Sequence, residues 1–126
     1  MAKKLSSSFH DWEITGLDIN RENKTLAVKL WFPDTDEKVH LLLEGVSRFS
    51  CSGAMLQNVI LDFLVFEKHS ESNYLKYCYK VLDIDSSVFC THGSDENNKI
   101  LFIEPSVGME LACCYQLLTQ EIEEFR

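Results

Sequence analysis

Polar and apolar residues alternate most regularly over 26–32, where Leu26, Val28, Leu30 and Phe32 point one way and Ala27, Lys29 and Trp31 the other. This is the period-2 signature of a half-buried strand. Before it, 12–20 carries Trp12, Ile14 and Leu17 or Ile19 near one face with Glu13, Thr15 and Asp18 between them, and Gly16 marks a bulge. The polar turn 21–24 joins the two segments into a hairpin. Residues 33–38, dense in turn formers, lead into a third strand over 39–49 with a bend at Gly45. Residues 57–67 are apolar at almost every position and rich in branched and aromatic side chains, which predicts a fourth strand placed centrally in the sheet.

The period changes at 70–82, where Tyr74, Leu75, Cys78, Tyr79 and Leu82 recur at helical spacing behind a cap at Ser70 or Ser72. A polar turn at 94–98 precedes a short apolar strand over 99–104, and Pro105, Ser106, Val107 and Gly108 read as a second tight turn. From Met109 onward the pattern fits a helix or a strand. Three acids, Glu121, Glu123 and Glu124, would oppose a helix dipole at its C-terminal end, so a strand to about Leu118 is the reading adopted. The expected fold is α+β, a mainly antiparallel, curved sheet of about six strands with one packed helix, in a single domain spanning 1–126.

Composition adds a compartment. Five cysteines, an odd number without a CxxC pair, follow a start of Ala2, Lys3, Lys4 and then serines rather than a signal peptide. That usage predicts a reducing cytoplasm and no essential disulfide. The longest apolar stretch, 59–66, is interrupted by Asp62 and is far shorter than the ~20 residues that span a bilayer.

Charge narrows the partners. Twenty Asp and Glu against twelve Lys and Arg leave −8, and the surplus is patchy: 83–96 has four acids and no Lys or Arg. Such a surface repels nucleic acid and anionic membrane and attracts basic proteins. Acids in turn-like segments are the candidate contacts: Asp34, Asp36 and Glu37 after the second strand, and Asp83, Asp85, Asp95 and Glu96 after the helix.

Catalytic and cofactor patterns are weak by comparison. Cys90-Thr91-His92 supplies two donors where zinc takes four, so no metal or other cofactor is expected. His10-Asp11 reads better as an edge cap than as an acid–base pair, and the five glycines stand singly, with no phosphate loop or nucleophile elbow among them. Tyr74, Tyr77 and Tyr79 beside Lys76 and Lys80 mimic a nucleic-acid surface, but the net charge favours packing with a solvated face. The chain is expected not to be an enzyme.

Four short motifs lie in a familiar order: Ser8-Phe9-His10-Asp11, Leu43-Glu44-Gly45-Val46, Gln57-Asn58-Val59-Ile60 and Glu104-Pro105-Ser106-Val107-Gly108. Over residues 9–118 this order resembles small bacterial immunity-type proteins, encoded beside polymorphic or contact-dependent growth-inhibition toxins. The resemblance implies a cytoplasmic antitoxin, a monomer or weak homodimer, that binds the C-terminal toxic domain of a cognate secreted toxin, often a basic nuclease. A small-molecule-binding or enzymatic domain using the concave sheet, or a structural subunit of a larger assembly, are the alternatives.

Overall fold

The computed structural model describes residues 9–89 and 97–123. Its strands are β1 (Glu13–Asn20), β2 (Thr25–Phe32), β3 (Glu37–Glu44), β4 (Arg48–Ser52), β5 (Val59–Phe66), β6 (Lys99–Val107), β7 (Glu110–Tyr115) and β8 (Leu117–Glu123). One α-helix, α1 (Asn73–Leu82), and a short 3-10 turn, Ser86–Phe89, lie between β5 and β6. The class is α+β dominated by one antiparallel sheet, with strand order β4-β7-β6-β5-β1-β2-β3-β8.

Eight strands replace the expected six because two long strands break at one corner. The third strand splits at Gly45, whose φ of +67° belongs to the left-handed region that favours glycine. The C-terminal strand splits opposite it, at Gln116. A Cβ on Gly45 would lie 2.9 Å from Cβ of Gln116, so glycine also makes room for the facing side chain. The two broken strands remain paired through the break: Glu44 lies opposite Leu117 and Arg48 opposite Cys114. Between those pairs, the Gln116 N–H donates to the Glu44 carbonyl at 2.9 Å and the Ser47 N–H to the Cys114 carbonyl at 3.0 Å.

The corner forces the sheet to curl. In a flat sheet β7 and β3 would stand five strand spacings, about 24 Å, apart. Here the end of β7 touches the end of β3, and the sheet wraps around a core drawn from both halves, including Val28, Leu41, Leu101, Cys113 and Tyr115. It does not close. The outer edges of β4 and β8 carry no strand partner among the described residues.

α1 covers the outer face of β6 and β7. Leu75, Cys78 and Leu82 pack on Ile100, Phe102, Ala112 and Cys114. These two strands are therefore buried on both faces, which explains their unbroken apolar runs. β5 sits centrally in the strand order as expected, yet Leu61 and Val65 are exposed, Val65 on the face away from α1, where it is paired with Leu101. Ser72 caps α1 by accepting from the N–H groups of Tyr74 and Leu75. At the other end, the Arg48 guanidinium donates to the carbonyls of Leu82 and Asp83, a cation where the helix dipole favours one. Burial pushes the Cys78 and Cys113 thiols up to about 12, so both stay protonated and inert.

The turn expected at 105–108 is shorter than the sequence implies. β6 runs on through Val107, and Pro105 is tolerated because the β5–β6 register shifts on both sides of Ile60, its partner. Only Gly108, at φ +85°, and Met109 turn the chain. In β1 the register with β2 shifts between Ile14 and Gly16, the expected bulge, and Leu17 rather than Ile19 joins the core.

The two halves of the sheet meet at a narrow seam, where β1 and β5 share the single ladder pair Glu13–Val59. Phe9 plugs it, packing edge-on against Trp12 and Phe63. Asn58, the buried polar residue among those described, ties it together. Its Nδ2 donates to the carbonyls of Met55 (2.8 Å) and Ile14 (3.3 Å), and its Oδ1 accepts from the N–H groups of Met55 (2.8 Å) and Met109 (2.9 Å). All four hydrogen-bonding positions of the amide are filled. Truncation would strand four backbone groups in a region with little water, so Asn58→Ala is expected to lower stability by about 2–4 kcal/mol in urea denaturation. A loss below about 0.5 kcal/mol would mean that water or relaxation replaces the clamp.

Candidate functional site

The turn acids divide by what their side chains already do. Asp34 is exposed at the tip of the β2–β3 turn. Asp36, in the left-handed region at φ +61°, accepts from the Trp31 indole at 2.7 Å, and Glu37 accepts from the Thr35 hydroxyl at 2.8 Å. Asp83 caps α1 at φ +57° with its carboxylate 3.5 Å from Arg48. The hydroxyl and N–H of Ser87 both donate to Asp85 and hold its carboxyl below the usual range. Asp36, Glu37, Asp83 and Asp85 thus shape their turns while remaining exposed to a partner. Asp95 and Glu96 lie outside the described residues, as do Cys90 and His92.

A second acidic feature is assembled by the sheet from distant positions. Asp62 of β5 is paired with Glu104 of β6. One step beyond the Ile103–Leu111 pair, the ladder sets Glu104 opposite Glu110 of β7. These three carboxylates form a row on the helix-side face. Two tyrosines one turn apart on α1 reach it: Tyr74 donates to Glu104 at 2.9 Å and Tyr77 to Glu110 at 2.6 Å. Those hydrogen bonds are the chief reason both phenols are raised above their ordinary range. The same rings pack against Phe102, so the tyrosines join the core to the acidic row, the packing role expected of them. Periodicity along the chain carries no sign of this row, because it depends on the β5–β6–β7 register.

Bases are displaced to the other end of these strands. Residues 49–67 and 100–123 contain no Lys or Arg, while Arg48 and Lys99 sit at the starts of β4 and β6. There an open cleft of about 570 Å³ is lined by Arg21, Lys24, Arg48, Ile19, Val46 and Phe49, among others, and by no acid. Arg48 is held at the helix end, whereas Arg21 and Lys24 belong to the exposed β1–β2 turn.

His10 and Asp11 are used locally. The His10 ring is 2.9 Å from the Leu61 carbonyl and 3.5 Å from Asp11, and the Asp11 N–H donates to the Ile60 carbonyl. Both secure the chain's entry across the seam. Among the described residues no three His, Cys, Asp or Glu side chains gather as a metal would require, and no helix is long and apolar enough to cross a membrane.

Comparison with known proteins adds no relative: no family model, curated protein or solved structure matches this chain.

The differing roles of the turn acids are separable by charge reversal. Asp34→Lys should leave stability within about 0.5 kcal/mol, as an exposed substitution does. Asp36→Lys should lower it by about 1 kcal/mol or more, through loss of the Trp31 hydrogen bond and a left-handed backbone that Asp tolerates better. Chemical denaturation followed by tryptophan emission reads both, and equal effects would contradict the assignment.

Proposed function

We propose that this protein is an immunity-type inhibitor that acts in the cytoplasm by binding a basic protein, the C-terminal toxic domain of a secreted toxin encoded beside it. The observation that carries the reading is the separation of charge. The carboxylates Asp62, Glu104 and Glu110 line up on strands whose segments 49–67 and 100–123 carry no Lys or Arg. The exposed turn acids Asp34, Asp36 and Glu37 add to the negative field, while Asp83 and Asp85 lie past the helix, Asp83 beside Arg48. A basic nuclease domain has to attract phosphate. An acidic inhibitor meets the same surface, steered at long range and seated by short-range contacts. Inhibition then requires only occupancy of the toxin's substrate groove, with no chemistry by the inhibitor itself.

The cleft lined by Arg21, Lys24 and Arg48 favours a second reading, a domain that binds a small organic anion. The two differ in what they bind and at which end.

The test is direct. Purified protein should abolish the activity of the neighbouring toxin domain at a one-to-one ratio. Its association rate should fall about tenfold or more between low and high salt. Asp34→Lys with Asp62→Lys should slow association and flatten that salt dependence with little change in unfolding midpoint. A toxin domain that stays fully active in the presence of excess protein would refute the proposal.

A further inference from the structure

The geometry points to residues 53–57, between β4 and β5, as a preformed docking knob whose apolar tip enters an apolar pocket in the basic partner protein, an inference that rests on the functional reading above. Leu56 is 107% exposed and Met55 63% exposed, next to each other at the tip. A single exposed apolar residue is ordinary on a protein surface. What distinguishes this pair is how firmly the loop beneath it is held.

Asn58 fixes Met55 through both its N–H and its carbonyl, and joins the loop to the starts of β1 and β7. Two left-handed glycines, Gly53 at φ +76° and Gly108 at φ +85°, let the backbones approach. A Cβ on Gly108 would lie 2.7 Å from the Gln57 carbonyl oxygen and would also collide with the Asn58 amide, and one on Gly53 would lie 3.0 Å from the Gly108 carbonyl oxygen. The loop so held directs both side chains at solvent. Holding the tip in its bound form removes much of the ordering entropy that a flexible loop loses on association.

Charge selects the occupant. Gln57 donates to Glu13 at 3.3 Å, and Ser52 at the loop's other root is paired with Glu110. No Lys or Arg lies within 49–67 or 100–123. The rim is therefore anionic, which suits a pocket set in a basic surface. A second copy of this chain would bring two anionic rims together, and a protruding knob does not complement itself across a two-fold axis.

Leu56→Ser combined with Met55→Ser should raise the dissociation constant for the neighbouring toxin domain about 30-fold or more, as loss of an interface anchor does, chiefly through faster dissociation. The unfolding midpoint should stay close to wild type, since neither side chain is buried. Wild-type binding that both substitutions leave within threefold would overturn the knob alone. No wild-type binding at all would overturn the functional reading and the knob with it. Sedimentation in which the wild type dimerises and the double variant does not would assign the tip to a second copy and overturn the basic partner.

Discussion

A buried side-chain amide anchors the seam at which the two halves of this sheet meet. β1 and β5 meet over a single ladder pair and three backbone hydrogen bonds, Ile14 N–H to Asn58, Ile60 N–H to Trp12 and Asp11 N–H to Ile60. The Asn58 side chain adds a bond to Ile14 across the seam, while its other three fix Met55 and Met109 on its own side. A buried amide left half satisfied would be destabilising, so its value lies in complete satisfaction. Phe9 seals the seam from the apolar side, and the opposite corner, at Gly45 and Gln116, returns the sheet on itself. With both ends of the curl defined, the core fills the concavity and the helix covers the outer face of β6 and β7.

The same topology distributes charge. Strands β4 to β7 alternate in direction, so the ends of β4 and β6 lie with the starts of β5 and β7. Arg48 and Lys99 fall at one end, while Glu104, Glu110 and the 53–57 loop fall at the other. Acids spread through the sequence thereby become a surface with direction: an anionic end carrying a fixed apolar tip, and a cation-lined cleft at the far end. Such an arrangement suits a two-part encounter in which charge orients the partner and an apolar contact retains it.

How much of this could be read from the chain depends on how local each determinant is. β2 was legible because Leu26, Val28 and Leu30 alternate without interruption, and α1 because its period and its Ser72 cap agree. The strand count fell short because Gly45 reads equally as a bulge or a break, and Gln116 has no breaking signal of its own; only their pairing across the sheet splits both strands. Pro105 reads as a turn residue, yet a register shift beside it removes the need for its missing N–H. The turn acids were visible as composition. The row Asp62, Glu104, Glu110 was not, since it exists only after β5, β6 and β7 pair. Asn58 looked like the polar start of a strand, and its burial follows from tertiary contacts with Ile14 and Met109.

Amide hydrogen exchange on a complex with the proposed toxin partner tests the central claim, that the anionic end with its clamped loop is the binding face. Binding there should slow exchange across residues 51–57 and at the start of β7, and leave the β1–β2 turn and residues 45–49 unchanged. Protection confined to the cation-lined cleft, with 51–57 exchanging as in the free protein, would contradict it.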